Sequence, residues 1–515
     1  MLIDELIFQI KRQFTFPPTH EQEVAMRTFS EFLSCRDNRS LMILRGAAGT
    51  GKTTLAASFV KMLAALRQRV VLLAPTGRAA KVLALNSGHP AYTIHSHIYR
   101  QQQSDGLQGR FSIDFNKHSD TIFFVDESSM IANDGQNSIF GSGFLLDDLV
   151  QYVYSGRNCR MVIIGDYAQL PPVGEEESPA LSPTFMRGYD LQVFECTLSE
   201  VLRQAEESGI LWNATRLRNG NYLTNLAKQT ENAADSTSHL QLSLLPKIRF
   251  HGFADIVMVP GSELIESLTT SYGEVGTDET IVITRSNKRA NIYNQGIRNT
   301  VLWREDELCT GDLLLVVKNN YKHSIPNPQP GQGAKDSIQE TSSKDSQPSA
   351  STEMSGFIAN GDRCVVQKVR NMHEMHGFKF AKLWLQFPDF DNYEIQALTL
   401  LDTLSTEAPA LTREQQESFY LKVMEDYADI PQKKERLKRL KEDKYYNALQ
   451  VKFAYAVTCH KAQGGQWSHV YVDQGFMNDD MLTPEYIHWL YTAFTRATEK
   501  LFLVNWPQQQ TDEDK

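Results

Sequence analysis

Short apolar, β-branched runs punctuate the first part of the chain: Leu41–Leu44, Val70–Ala74, Ile122–Val125 and Met161–Ile164. Each ends at a polar motif, and helical stretches lie between some of them. Continuous rather than alternating hydrophobicity predicts strands buried on both faces, as in the parallel sheet of an α/β domain. Ligands of such sheets gather at the carboxyl ends of the strands. The segments GAAGTGKTT, APTGRAAK, DESSM and GDYAQLPP all fall at that end. A second set of similar runs, Thr280–Thr284, His469–Asp473 and Leu501–Val504, predicts a second α/β domain.

A long insertion interrupts the second domain. Leu308–Val317, Gly356–Val369, Phe378–Phe387 and Tyr393–Leu401 read as short strands able to close a small barrel. Between the first two, Asn319 to Ser355 is rich in Ser, Gln, Pro, Asn, Gly and Lys, and is expected to be disordered. Thr412 to Lys444 is helical and highly charged, and Pro431 divides it into a helical pair. The pattern shows no internal repeat.

The most specific chemistry lies in Gly46 to Thr54, GAAGTGKTT. The strand-like Leu41–Leu44 leads in and the helix-like Leu55 to Leu66 leads out, which is the setting of a P-loop. The residues Gly46, Ala47, Ala48, Gly49, Thr50, Gly51, Lys52, Thr53 and Thr54 would wrap a nucleoside triphosphate. Backbone N–H groups and a helix N-terminus would face the phosphates. Lys52 would reach the β- and γ-phosphates, and Thr53 would supply a hydroxyl to Mg²⁺.

Composition narrows the class. A chain of 515 residues with 41% hydrophobic and 22% charged residues fits a soluble protein of several domains. No apolar run approaches a membrane span, and the N-terminus lacks the apolar core of a signal peptide. Six scattered cysteines without a CxxC pair offer neither zinc site nor disulfide framework, so a reduced, cytoplasmic setting is expected. A net charge of −10 argues against coating nucleic acid by bulk charge, but not against a local channel.

Asp126-Glu127 follows the strand TIFFV, the position of a Walker B pair. Asp126 would hold the magnesium, and Glu127 would polarise the attacking water. Gln169 in GDYAQLPP is placed to sense the γ-phosphate. Arg496, in WLYTAFTRATEKL, and Arg203, in LSEVLRQ, are candidates to meet charge developing on that phosphate.

Taken in order, the motifs resemble those of superfamily 1 (1B) DNA helicases of the RecD/Dda-like group. THEQ with Gln22 resembles the Q motif that reads adenine. GAAGTGKT resembles motif I, APTGRAAKVL and TIHSHIY motifs Ia and Ib, DESSM motif II, and GDYAQLPPV motif III. LSEVLRQ resembles the arginine-bearing motif IV region, VTCHKAQGGQW motif V, and YTAFTRA motif VI. The resemblance spans about Gln22 to Asn505.

It implies an α/β fold with two RecA-like P-loop motor domains, and ATP and Mg²⁺ in the cleft between them. Residues 1–200 would form the first motor, with a pin insertion at about 100–120, and residues 201–306 with 445–515 the second. Residues 307–404 would be an SH3-like β insertion with a disordered loop at 319–355, and 405–444 a charged helical pair. Lys52, Thr53, Asp126, Glu127, Gln169, Arg203 and Arg496 match ATP-site positions, and Gln463 and Gly464 would sit at the cleft. Thr76, Thr93, His95, Thr458, His460 and Lys461 match positions near DNA, and their donors suit phosphate oxygens. Ser104 to His118 takes the place of a strand-separating pin, with Phe111 either its exposed aromatic or a core residue. The run KKERLKRLKEDK offers either phosphate contacts or a solvated helix face.

The implied activity is ATP-dependent 5′-to-3′ unwinding by a monomer on single-stranded and tailed duplex DNA, away from membranes, with repair or replication proteins as partners. An RNA-directed relative, or a regulatory or scaffold P-loop ATPase indifferent to nucleic acid, are the alternatives. ATPase turnover with and without DNA and RNA separates them.

Overall fold

The computed structural model describes residues 2–14, 16–101, 111–133, 141–200, 207–219, 245–325, 356–477, 481 and 483–512. The first α/β unit contains β1 (Ser40–Gly46), β2 (Arg69–Ala74), β3 (Ala91–Thr93), β4 (Tyr99–Gln101), β5 (Phe111–Ile113), β6 (Thr121–Val125), β7 (Arg160–Gly165) and β8 (Gln192–Leu198). Six of these form a parallel sheet in the order β3-β2-β6-β7-β1-β8. β4 and β5 pair separately as an antiparallel hairpin. The four apolar runs read from the sequence are the central strands β2, β6, β7 and β1. The flanking β3 and β8 are short or only half-buried, so their hydrophobic signal is weak.

Helices cover both faces. The helix His20–Ser34 opens with a capping box, in which Thr19 and Gln22 satisfy each other's backbone N–H groups. Its Phe29 ring stacks on Phe59 of the P-loop helix with centroids 4.0 Å apart.

The second unit begins with β9 (Ile256–Val259) and β10 (Thr280–Thr284). The chain then leaves through β11 (Leu313–Val316), β12 (Asn320–Ile325), β13 (Gly356–Ile358), β14 (Arg363–Met375), β15 (Phe378–Phe387), β16 (Tyr393–Leu400) and β17 (Leu449–Phe453). It returns as β18 (Ala456–Thr458), β19 (Trp467–Asp473) and β20 (Ala497–Val504). The second parallel sheet runs β18-β10-β19-β20-β9. The fold is therefore α/β, with two RecA-like motor domains and a small β-barrel carried by the second.

The barrel closes as β11-β14-β15-β16-β17. Its last strand comes from beyond the helical pair, in a segment the sequence reading assigned to the second motor. All five residues of β17 are buried, so periodicity alone gave no sign of which sheet it joins. The run Gly356–Val369 is two strands, because Gly361, at φ +99°, turns the chain between them. The start of the polar loop is ordered: β12 pairs with β13, while residues 326–355 lie outside the described part.

Arg298 and Arg304 anchor the barrel's entry strand through Asp312, at 3.0 and 2.9 Å, and Tyr455 shares the same carboxylate. The charged segment forms helices Arg413–Glu425 and Lys433–Glu442. Phe419, Val423 and Leu440 pack them onto Phe378 and Phe380 of the barrel. Lys433, Lys434, Lys438 and Arg439 face outward, the solvated-face arrangement.

Candidate functional site

The P-loop is built where the sequence puts it, between β1 and the helix Lys52–Ala65. Gly49 and Gly51 hold φ of +75° and +80°, the left-handed region that glycine enters without strain. A Cβ on Gly46 would stand 2.6 Å from Lys52 Cγ, so only glycine lets the lysine fold back over the loop. Lys52 Nζ donates to Ala47 O at 2.9 Å and lies 3.9 Å from Asp166 Oδ2. Gln22 is buried and braces the loop, its Nε2 donating to Thr50 O at 2.9 Å. Its Oε1 accepts from the Thr19 N–H, so both ends of the amide are engaged at the helix start and the loop.

Asp126 and Glu127 follow β6. Burial, and the Glu127 carboxylate beside it, push the Asp126 carboxyl well above the usual carboxylate range. Its Oδ1 accepts from the Glu127 N–H at 2.8 Å. Glu127 sits at φ +50°, a strained position for a side chain of this kind and one typical of functional turns. A carboxylate crowded by a second one, with the Thr53 hydroxyl in the first turn after the P-loop, is an oxygen-donor set suited to Mg²⁺. Asp126 and Thr53 would hold that ion, which would supply positive charge to phosphate oxygens.

The cleft between the motors is bridged by hydrogen bonds. The Ala48 N–H donates to Tyr491 Oη at 2.9 Å, and Tyr491 Oη–H donates to Asp166 Oδ2 at 2.6 Å. The Leu170 N–H donates to Thr492 Oγ1 at 2.7 Å, and Gln463 Nε2 donates to Leu170 O at 2.7 Å. His488 Nδ1 meets Ala168 O at 2.9 Å. Motif III thus touches the helix Pro484–Phe494 and the TCHKAQGG segment at once. Gln169 lies between these contacts with its Oε1 buried and unpaired.

Beyond the cleft the two sheets repeat one design. The order β3-β2-β6-β7-β1 in the first matches β18-β10-β19-β20-β9 in the second, all parallel. Thr76 caps the helix after β2 by accepting from the Ala79 N–H, and Ser286 caps the helix after β10 by accepting from the Arg289 N–H. Thr93 ends β3 and Ile94-His95 follow it, and Thr458 ends β18 and Cys459-His460 follow it. An internal repeat is therefore present, although the sequence reading found none. Short, divergent segments carry it, and only superposed sheets make it visible. Burial lowers both imidazoles, His95 to about 4.

A cavity of about 200 Å³ joins the three units, lined by Thr76 and Arg78 from the first motor, His460 and Lys461 from the second, and Asn360 and Arg363 from the barrel. Burial and the nearby Lys452 charge bring Lys461 down to about 8. Arg78 lies 4.5 Å from the Trp467 ring centroid and donates to Gln466 O. Gly464, at φ +72°, packs so closely that a Cβ would sit 3.0 Å from Thr76 Oγ1.

The residues 19–234 match the family described as AAA domain, and residues 453–504 match the UvrD-like helicase C-terminal domain. The ATP-dependent DNA helicase dda of Enterobacteria phage T4 is 29% identical over 36% of this chain and 40% of its own length. The ATP-dependent RecD2 DNA helicase of Deinococcus radiodurans is 30% identical over 35% of this chain and 22% of its own. With these matches the chain is similar to superfamily 1B DNA helicases of the RecD/Dda-like group. Among solved structures, the Pif1 helicase from Bacteroides in complex with ADP-AlF3 and ssDNA aligns over 97% of this chain and 95% of its own, at 14% identity and TM-score 0.42. This chain thus spans well under half of the two helicase relatives.

Arg496 is buried and bonded within its own domain. Its Nε donates to Thr492 O and a terminal nitrogen to Gly465 O, both at 3.1 Å. Arg203 lies outside the described residues. Phe111 is buried in the first motor's core with Tyr99 and Tyr152, which favours the core alternative. The exposed aromatic of the described pin segment is Phe115, 70% exposed. Tyr491, Thr492 and Ser286 were not singled out from sequence. The tyrosine stands inside YTAFTRA, and the serine precedes a helix after an apolar strand, as Thr76 does; those were the signals available.

Proposed function

We propose that this helicase couples ATP hydrolysis to 5′-to-3′ movement along single-stranded DNA and so unwinds duplex DNA bearing a 5′ tail. The observation that carries the reading is the shared interface. Gln463 binds motif III on the nucleotide side, while its neighbour Gly464 packs on Thr76 on the track side. A change at the phosphates therefore reaches the track through adjacent residues.

In this reading Lys52 neutralises the β- and γ-phosphates, and Glu127 orients and deprotonates the attacking water. Gln169 and Arg496 read the γ-phosphate, with Arg203 the second arginine candidate. Arg496 has to exchange its Gly465 carbonyl for phosphate as the cleft closes. Thr76, Thr93 and His95 hold one stretch of DNA backbone, and Thr458, His460 and Lys461 hold the next. Closure shortens the distance between the two sets, so each hydrolysis cycle advances the strand. The polarity rests on the family resemblance, and the acidic protein as a whole leaves binding to this local track.

The test is ATPase turnover with no nucleic acid, with single-stranded DNA and with RNA, followed by unwinding of duplexes tailed at either end. Stimulation by DNA and unwinding from the 5′ tail are expected. Glu127→Gln should bind ATP and lose hydrolysis. Unwinding from the 3′ tail alone would reverse the polarity, and turnover indifferent to nucleic acid would point to a regulatory ATPase.

A further inference from the structure

The outer face of the barrel gathers three cations around one indole. Lys368 Nζ, Arg370 Cζ and Lys382 Nζ lie 5.6, 5.9 and 5.9 Å from the centroid of the Trp384 ring. Lys368 pairs directly with Trp384, and Arg370 with Lys382, across β14 and β15. Leu383 and Leu385 on either side point into the barrel and are fully buried, so Trp384 and Lys382 face outward. A register shift between Val366 and Lys368 inserts Gln367 into β14. Without that bulge, Lys368 would point into the core; with it, the lysine stands opposite the indole.

None of these three cations forms an ion pair with a described carboxylate. Among the described residues nearby, Glu394 of β16 accepts from Gln386 Nε2 at 3.4 Å, and Glu374 lies farther along β14, opposite Lys379. Such a patch is unusual in a chain of net charge −10. The strand that carries it also reaches the cavity between the motors. Arg363, buried at the start of β14, lies 5.8 Å from the Trp467 ring in that cavity and is paired with Asp389 at 3.7 Å. From Arg363 to Arg370 the strand covers roughly 23 Å at about 3.3 Å per residue.

We propose that this face is a second single-stranded DNA site, on which the strand continuing from the motor track lays phosphates on Lys368, Arg370 and Lys382 and stacks a base on Trp384. Cations beside an aromatic platform are what sequence-independent single-strand binding requires. The duplex, with its bases already stacked, has no use for the indole. The proposal rests on the helicase reading for the identity of the strand.

The experiment compares two oligothymidylates, one just long enough to stimulate turnover and one three times as long. The triple variant K368A/R370A/K382A and the single variants Trp384→Ala and Trp384→Phe are measured beside the wild type. Wild type should bind the long strand more tightly than length statistics explain. The triple variant and Trp384→Ala should each lose about tenfold on the long strand, with Trp384→Phe near wild type. The salt dependence of the triple variant should be shallower by about 2 in log–log slope, from three contacts at about 0.7 each. Maximal turnover on the short strand should not change, which also shows the variants are folded. Equal long-strand affinity and salt slope in wild type and variants would overturn the site. So would a loss confined to duplex DNA. If the wild type binds the long strand through this face but shows no stimulated turnover, the helicase reading fails and the barrel site stands.

Discussion

Tyr491 and Asp166 are joined across the motor cleft by a 2.6 Å hydrogen bond, and the same phenol accepts from the Ala48 N–H of the P-loop. Burial and the Asp166 carboxylate push the phenol well above its usual range, so it acts as a neutral donor. P-loop amides are the groups that cradle phosphate, so nucleotide has to take Ala48 from Tyr491. Tyr491→Phe keeps the ring and removes this competition. Nucleotide affinity should rise about fivefold, the worth of one ordinary hydrogen bond at about 1 kcal/mol. Turnover stimulated by DNA should fall, because the second motor loses its link to the loop. Calorimetric nucleotide titration and steady-state ATPase assays check both. Weaker binding in the variant would show that the hydroxyl supports the loop rather than competing for it.

Gly464 combines a left-handed backbone with contact against the other motor. Gly464→Ala should cost about 1–2 kcal/mol of stability from the backbone alone. The added methyl, 3.0 Å from Thr76 Oγ1 and 3.4 Å from Ala79 Cβ, should also prop the cleft open. DNA-stimulated turnover should drop more than tenfold while nucleotide affinity of the first motor holds. Thermal unfolding and ATPase assays on one preparation separate the effects, and full stimulated turnover would refute the wedge.

Lys461 gives the track a pH signature. Its pKa is brought down to about 8 from the ordinary lysine value, so its charge is present below that pH and lost as pH rises through it. A phosphate contact restores the charge, so binding above pH 8 takes up a proton. DNA affinity should therefore begin to decline near pH 8 rather than near 10. Lys461→Arg should bind without that decline. A wild-type profile flat to pH 9.5 would remove Lys461 from the contact set.

Phe111 and Phe115 separate core from pin. Phe111→Ala should cost about 3–5 kcal/mol, because it empties a buried site. Phe115→Ala should leave stability within about 0.5 kcal/mol and, if the segment parts strands, lower unwinding without lowering ATPase. Denaturant unfolding curves and fork-unwinding rates decide. A stable Phe111→Ala variant would contradict the packing.

Arg496→Ala should leave nucleotide affinity nearly unchanged and slow hydrolysis by a factor on the order of a thousand, as expected for a charge that matters most in the transition state. Some stability should be lost as well, since Arg496 binds the Gly465 and Thr492 carbonyls. Normal turnover with lost unwinding would make it a mechanical residue and pass the arginine role elsewhere.

The sequence by itself determined what depends on neighbours along the chain. The P-loop, its glycines at Gly49 and Gly51 and the lysine that closes it form one local turn between a strand and a helix. The buried central strands of both sheets announced themselves as unbroken apolar runs, because a strand covered on both faces has no polar side to show. Asp126-Glu127 followed from its position at a strand end. The tertiary structure decided what depends on segments far apart. β17 joins the barrel rather than the second motor because its backbone pairs with β11 and β16, a choice its own residues leave open. Phe111 packs inward because β4 and β5 turn it onto the first core. Tyr491 became a P-loop contact only when residues 443 positions apart were brought together, since a tyrosine's reach is set by the domain that carries it. The likeness of Thr93-Ile94-His95 to Thr458-Cys459-His460 is likewise a property of two sheets with one strand order; three-residue segments hold too little information to reveal it alone.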